Sequence, residues 1–254
     1  MKNLRYIIVA IFALVAVDAM AWTDKVNKAV LMFAEQNLSK KSAKEVEALL
    51  GNTLSSVEFT NKGKSSSRLD ENGKSVTNDE KDAVVLLEKA IATLEDKSAT
   101  AEERKAALLT AVEMTVDIHC MANILIDKHL EKDFTFTRHN AMQVGFRYYK
   151  AAEVSWQRVW HEEYYANSDV FSLEMCLFDL QIATKGMAKH YKKEELAPRK
   201  WAEQTGERVF QALKVIHPGV LIDRVEVHKL REVTNSCLYD AAFRLANLLN
   251  KTFK

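Results

Sequence analysis

The stretch that decides the fold lies near the C-terminus and reads Cys237-Leu-Tyr-Asp-Ala-Ala-Phe-Arg-Leu-Ala-Asn-Leu-Leu-Asn250. Its apolar residues recur every three or four positions, which is the spacing of one face of an α-helix. This stripe consists of Leu238, Ala241, Ala242, Leu245, Leu248 and Leu249. The spacing predicts a long helix over residues 223–253 that buries the stripe against other helices.

The composition of the whole chain favours the same helical class. The 254 residues include only seven glycines and two prolines, fewer than a fold of many tight turns needs. The chain is 48% hydrophobic, and its length suits one large domain or two small ones. Its 36 Lys and Arg residues nearly cancel 35 Asp and Glu residues, which excludes a strongly basic surface for non-specific nucleic-acid binding.

Helical spacing also recurs along most of the remaining chain. Residues 51–80 are rich in Gly, Ser, Asn and Lys, which predicts a long exposed loop. Alternation at Phe134-Thr-Phe-Thr137 and over 143–149 predicts one hairpin. We therefore expect an all-α, single-domain fold with one small β-hairpin. The other helices are predicted over 22–38, 39–50, 79–97, 100–129, 153–165, 170–191 and 198–216, with start signals at Ser39 or Ser42, Thr100-Ala-Glu-Glu103 and Pro198.

The N-terminus has the pattern of a cleavable signal peptide. Lys2 and Arg5 precede an apolar run over residues 6–17, and Ala19-Met20-Ala21 follows as a cleavage site. The alternative is a membrane anchor, but the run is short for a span of about 20 residues. We expect a signal peptide over 1–21 and a secreted or periplasmic mature domain over 22–254, with no membrane span after cleavage.

Three cysteines, Cys120, Cys176 and Cys237, are an odd number in an exported chain. Their spacing matches neither a zinc ribbon nor a redox motif. Either one disulfide forms beside a buried thiol or all three are buried thiols, and the spacing does not choose between them.

Glu113 and Asp117 are four residues apart, so both carboxylates lie on one face of the predicted middle helix. Paired carboxylates suit metal binding or acid–base catalysis. The alternative is a solvated or ion-paired helix face. His119 lies two positions further and points elsewhere.

Gln157 and His161 form a second pair at helical spacing, beside Trp156 and Trp160. The alternative is a tryptophan anchored in the core with a surface histidine. The remaining histidines have no metal-binding spacing, and the sequence contains no P-loop, dinucleotide fingerprint or nucleophile elbow.

Five short motifs in order along the chain resemble the S-one/P-one nucleases. They are Met20-Ala21-Trp22, Phe33-Ala-Glu-Gln-Asn-Leu38, Val116-Asp-Ile-His-Cys120, Val159-Trp160 and Ala242-Phe-Arg-Leu-Ala-Asn-Leu-Leu-Asn-Lys-Thr-Phe253. The resemblance implies a secreted helical fold like that of zinc-dependent phospholipase C, with three zinc ions in one cleft. It also implies cleavage of single-stranded nucleic acid and of 3′-phosphates from nucleotides.

The family's first zinc ligands lie at the new N-terminus, where the free amine and carbonyl of a tryptophan bind metal. Trp22 keeps this residue, but the next ligand, a histidine in the family, is Asn27 here. The family then supplies an Asp and a His from a loop, and the matching stretch over 54–75 contains no histidine.

The family's remaining ligands match the middle helix and the tryptophan motif. The helix positions His, Asp and His read Glu113, Asp117 and Asn123, and the last His and Asp read Gln157 and His161. Of nine expected ligands, only Trp22 and Asp117 keep their identity. Glu113 and His161 remain candidate ligands of a different type, with Asp117 and His161 as candidate catalytic residues.

The neutral amides at Asn27, Asn123 and Gln157 are poor zinc donors compared with imidazole, thiolate or carboxylate. Structural zinc contributes about 10–16 kcal/mol over four ligands, so the loss of two strong ligands costs about 6–8 kcal/mol. That is about four to six decades of affinity. We therefore expect at most one residual zinc ion rather than three.

The sequence leads to the hypothesis of a pseudonuclease with a binding or interaction role and an unknown partner. Such a role would use the old cleft or the loop over 51–80, and clustered aromatics at Tyr148-Tyr149, Trp156, Trp160 and Tyr164-Tyr165 suit it, although core packing explains them equally. The alternative is an active metal-dependent nuclease or phosphoesterase with a reduced or altered metal site. That enzyme needs signal cleavage, because only a free amine at Trp22 coordinates metal.

Overall fold

The computed structural model describes residues 22, 24–59, 65–76, 79–130, 135–139, 151–156, 160, 173–183, 188–216, 221–222 and 229–254. Within these ranges the chain is mostly helical, which confirms the predicted helical class. The α-helices are α1 (Asp24–Gln36), α2 (Lys40–Leu50), α3 (Ala83–Glu95), α4 (Ala101–Asp117), α5 (Leu173–Ala183), α6 (Ala188–Lys193), α7 (Pro198–Leu213) and α8 (Arg231–Thr252). The strands are β1 (Ser67–Leu69), β2 (Ile124–Ile126), β3 (Thr135–His139), β4 (Ala151–Ser155) and β5 (Leu221–Ile222).

The core forms where the first and last helices meet. α1 packs against both α5 and α8, while α3 pairs with α4, which also contacts α8. The rings of Phe33 in α1 and Phe243 in α8 meet edge to face with centroids 5.0 Å apart, and Tyr191 stacks on the same Phe243 ring. The apolar stripe of α8 is buried as its spacing predicts.

Three predicted helix starts are confirmed by their caps. Ser39 Oγ accepts a hydrogen bond from the backbone N–H of Ser42, so Ser39 is the cap of α2. Thr100 and Glu103 form a reciprocal capping box at the start of α4, and Pro198 occupies the first turn of α7. At the end of α2, Gly51 has a φ of 71°, a left-handed conformation that favours glycine.

The middle helix is shorter than its apolar spacing predicts. α4 ends at Asp117 instead of continuing to 129, and a 3-10 turn over Met121–Asn123 leads into β2. β2 pairs in parallel with β1, which lies inside the segment predicted as an exposed loop. Leu69 of β1 is fully buried. The loop prediction is therefore wrong over 67–69, because strand pairing and burial of alternate side chains override the polar composition of the segment.

The predicted hairpin is confirmed in its first strand and corrected in its second. β3 pairs antiparallel with β4, whose residues 151–155 replace the start of the helix predicted from 153. The segment 143–149 lies outside the described residues. β5 adds a parallel strand beside β3, which the sequence patterns did not predict.

Two other helix predictions are confirmed in part. The helix predicted over 170–191 corresponds to α5 and α6, with 184–187 outside the described residues. The predicted C-terminal helix begins at Arg231 within the described part of the chain. The predicted signal peptide over 1–21 also lies outside the description. Among the helices that are described, none is long and apolar enough to span a bilayer.

Gly206 in α7 provides a test of the packing between helix and sheet. A methyl group added at this glycine would lie 2.3 Å from Leu69 Cδ1 in β1. We expect Gly206→Ala to lower the free energy of unfolding by about 1–2 kcal/mol, since overpacking outweighs the gain in helix propensity. Urea denaturation measures this, and the penalty should vanish in a Leu69→Ala background. An equal penalty in both backgrounds would contradict the contact.

Candidate functional site

The described residues at the matched ligand positions form two hydrogen-bonded groups. In the first group, Trp22 is buried and its carbonyl oxygen accepts a hydrogen bond from Asn27 Nδ2 at 3.3 Å. Asn27 lies in the first turn of α1 and is itself buried. Its Oδ1 atom is also buried and has no hydrogen-bond donor within the described part of the chain. Two of the matched positions therefore contact each other through an amide.

The second group lies at the end of α4. Glu113 and Asp117 are both buried, so the prediction that they share a helix face is confirmed, and of the alternative of a solvated or ion-paired face the solvated form is wrong. Asn123 Nδ2 donates a hydrogen bond to Asp117 Oδ1 at 3.2 Å. No donor among the described residues reaches Asp117 Oδ2. An asparagine thus occupies one carboxylate oxygen of a candidate ligand.

The electrostatics of this second group favour a neutral Asp117. Burial, together with the nearby Glu113 carboxylate, raises the pKa of Asp117 well above its usual range. Compared with an ionised carboxylate, a protonated carboxylic acid offers one lone-pair site fewer to a metal ion and has an O–H group that donates a hydrogen bond.

Gln157 and His161, the other two matched positions, follow Trp156, which contacts the Met121–Asn123 turn. Trp156 Nε1 donates to the carbonyl oxygen of Met121 at 2.8 Å, and the Trp156 and Trp160 rings meet edge to face at 5.3 Å. Both tryptophans are buried. Core packing therefore accounts for these two aromatics. Gln157 and His161 lie outside the described residues, as do Tyr148, Tyr149, Tyr164 and Tyr165.

The donor set in the described residues does not fit zinc. Within the described ranges, no three His, Cys, Asp or Glu side chains are grouped to hold a metal ion. The atoms at the matched positions are amide, carbonyl and carboxyl groups, whereas zinc favours imidazole and thiolate with carboxylate. His129 does not supply a replacement, since its ring packs against Phe210 of α7.

A buried ion network that the sequence patterns did not predict lies behind this region. Arg244 of α8 pairs with Glu194 at 2.7 Å and with Asp240 at 3.1 Å, and its guanidinium lies over the Trp201 ring. Arg208 of α7 pairs with the same Asp240 at 2.7 Å. Burial disfavours the charge on Asp240, but the two guanidinium groups outweigh it and hold its pKa below the usual range. The available signal was Asp240 and Arg244 at i,i+4, each next to a residue of the buried apolar stripe of α8.

His119 connects α4 to this network and points away from Asp117, as its position predicts. Its Nδ1 contacts the Thr115 carbonyl oxygen at 2.6 Å, and its Nε2 contacts Arg244 Nη1 at 3.0 Å. A carbonyl accepts and a guanidinium donates, so the ring is the neutral tautomer with its proton on Nδ1. Burial, followed by the charge of Arg244, lowers the pKa of His119 to about 3.

Two of the three cysteines, Cys120 and Cys237, are buried and form no disulfide within the described part of the chain. Burial raises the pKa of Cys237 to about 11 and that of Cys120 well above its usual range. Both thiols are therefore protonated at neutral pH, which makes them poor nucleophiles. The Cys176 side chain lies outside the described residues.

Comparison with known proteins adds no assignment. No protein-family model matches the chain, and no curated protein matches its sequence.

Proposed function

We propose that this chain is an exported pseudonuclease: a protein with the helical fold of the S-one/P-one nucleases, no family-like hydrolysis, and a binding or interaction role. The sequence motifs from Trp22 to Phe253 support the ancestry, and the helical architecture is compatible with it. The resemblance makes single-stranded nucleic acid and 3′-nucleotides the ancestral substrates.

One observation carries this proposal. At two matched ligand positions an amide donates to a remaining ligand atom: Asn27 donates to the Trp22 carbonyl oxygen and Asn123 donates to Asp117 Oδ1. Catalysis in this class depends on several metal ions that activate water and stabilise the leaving oxygen. Each of these amides occupies one lone pair of a remaining ligand and stands where the family has a strong imidazole donor, so the position loses capacity to bind a metal.

The test is hydrolysis of single-stranded DNA and of 3′-nucleotides by the mature protein, with zinc or manganese added. We expect rates at the level of the buffer control and no difference between the unaltered protein and Asp117→Ala. A metal-dependent rate that disappears in Asp117→Ala would contradict the proposal. Circular dichroism of the variant excludes loss of folding as the cause.

A second candidate is a weak phosphoesterase with one metal held by Trp22, Glu113 and Asp117, and with His161 as base or ligand. The observation that favours it is the pair of buried oxygens, Asn27 Oδ1 and Asp117 Oδ2, which have no donor within the described residues. An orphaned buried acceptor costs about 1–3 kcal/mol, and a cation would relieve that cost.

The stability of the Asp117→Asn variant distinguishes the pseudonuclease from the phosphoesterase. Asparagine has the shape of a protonated Asp117 and carries no buried charge. With a raised pKa in the folded state, Asp117 makes folding less stable as the pH rises above the unfolded value near 3.8, and asparagine removes this loss. The pseudonuclease account predicts that the variant is more stable than the unaltered protein at pH 8.

Chemical denaturation at pH 5 and pH 8, with and without manganese, measures this gain. The gain should grow with pH and be independent of the metal. A variant that is less stable than the unaltered protein only when metal is present would support the phosphoesterase.

A further inference from the structure

The Asn27 side chain has an unused acceptor beside Trp22, the first residue of the predicted mature domain. Its Nδ2 donates to the Trp22 carbonyl oxygen at 3.3 Å, and because a carbonyl only accepts, this contact fixes the orientation of the amide. Asn27 Oδ1, about 2.2 Å from Nδ2 in the same amide group, is buried and has no donor among the described residues. A buried acceptor without a donor is unfavourable. An N–H group beside the Trp22 carbonyl would therefore stabilise this part of the structure.

Covalent geometry makes the Trp22 nitrogen the natural donor for this oxygen. The nitrogen and the carbonyl oxygen of one residue lie only about 3 Å apart. In the uncleaved chain the nitrogen belongs to a peptide bond, and its single N–H does not satisfy Asn27 Oδ1. Cleavage after Ala21 would convert it into an ammonium group, whose three N–H donors rotate about the N–Cα bond. Removal of the predicted signal peptide therefore supplies the donor that the uncleaved chain lacks.

We propose that Asn27 clamps the mature N-terminus: Nδ2 holds the Trp22 carbonyl oxygen, and Oδ1 accepts a hydrogen bond from the α-ammonium group of the same residue. A side-chain amide, with a donor and an acceptor side by side, matches the carbonyl and the ammonium of one terminal residue. This inference rests on the proposed export with signal cleavage and deepens the proposed function. A protonated amine has no lone pair for a metal, so the clamp keeps the N-terminus from acting as a ligand.

The charges at the start of α1 are compatible with an ammonium group. Trp22 lies two residues before α1, and the N-terminus of a helix carries a positive partial charge. Asp24, in the first turn of the same helix, contributes a full negative charge that opposes it. Cleavage also removes the chain bonded to the Trp22 nitrogen, so water solvates the N–H groups that Asn27 does not bind. The clamp therefore does not require a fully desolvated charge.

Thermal unfolding of two forms of the protein in the presence of a chelator tests the clamp. One form begins at Trp22, and the other keeps Ala21 in front of it, which converts the ammonium group into a peptide N–H. We expect the form that begins at Trp22 to have a Tm about 2–4 °C higher. In an Asn27→Ala background the two forms should differ by less than about 1 °C, because the acceptor is absent. The comparison within each background cancels the loss of the Nδ2 hydrogen bond.

Asn37→Ala is the matched control, since Asn37 is an exposed asparagine in the turn after α1 and should keep the full difference between the two forms. Equal Tm values for the two forms of the unaltered protein, or a difference that persists in Asn27→Ala, would overturn the clamp. Either result leaves the pseudonuclease proposal to the hydrolysis assay. A difference that requires added zinc or manganese and disappears with the chelator would contradict both proposals, because the amine would then bind metal.

Discussion

Arg244→Met should lower the free energy of unfolding by about 3–5 kcal/mol, the largest effect expected of any single substitution considered for this chain. The guanidinium is buried and binds Glu194, Asp240 and His119 from different parts of the sequence. Methionine keeps much of the side-chain length but leaves Glu194 without its partner and the His119 nitrogen without a donor. A buried polar group that loses its partner costs its full desolvation energy.

Urea denaturation of Arg244→Met and Arg244→Lys measures this effect. Lysine keeps the charge but lacks the planar fork, so it should recover only part of the loss. Arg199→Met is the matched control, because the Arg199–Glu88 pair is far more exposed than the Arg244 network and should contribute only about 1 kcal/mol or less. If Arg244→Met and Arg199→Met cost the same, the network does not stabilise the fold as proposed.

Acid should destabilise the protein through His119, the second large effect. The pKa of this buried ring is about 3 in the folded protein, against an ordinary value near 6.5 when unfolded. As the pH falls below 6.5, His119 becomes protonated in the unfolded chain but stays neutral in the folded chain. The stability that neutral His119 provides is therefore complete above pH 6.5 and is lost down to about pH 3, at up to about 1.4 kcal/mol per pH unit.

The total between pH 6.5 and pH 3 is on the order of 5 kcal/mol, and other titrating groups add to the measured pH dependence of stability. The difference between the unaltered protein and His119→Gln, measured by denaturation from pH 7 to pH 4, isolates the contribution of this ring. The free energy of unfolding should change less steeply with pH in His119→Gln than in the unaltered protein. The control His129→Gln replaces an exposed histidine and should keep the slope of the unaltered protein. Equal slopes in all three proteins would contradict the neutral, buried state of His119.

Local signals in the sequence predict the helices well where the helices bury one face. The stripe of α8 and the caps at Ser39 and Thr100 act within a few residues, so spacing and side-chain chemistry are enough to find them. Local spacing could not predict that α4 ends at Asp117, because the residues that follow it are still mostly apolar. What ends the helix is the pairing of β2 with β1, more than fifty residues away in sequence.

The candidate site also contains some features that local spacing predicts and others that depend on contacts between distant segments. Glu113 and Asp117 share a helix face, which their spacing alone predicts. The hydrogen bond from Asn123 depends on the turn after α4, and the ion network depends on α4, α7 and α8 meeting. Charged residues at i,i+4 in an apolar helix indicate that something must compensate them, but they do not identify the partner.

The zinc content of the mature protein, measured by mass spectrometry of the intact chain and by elemental analysis after dialysis, tests the central claim most directly. The account predicts at most one zinc ion per chain, because Asn27 and Asn123 place weak amide donors where the family has imidazoles and donate hydrogen bonds to the Trp22 carbonyl and to Asp117 Oδ1. Three tightly bound zinc ions per chain would contradict it and would restore a working hydrolase.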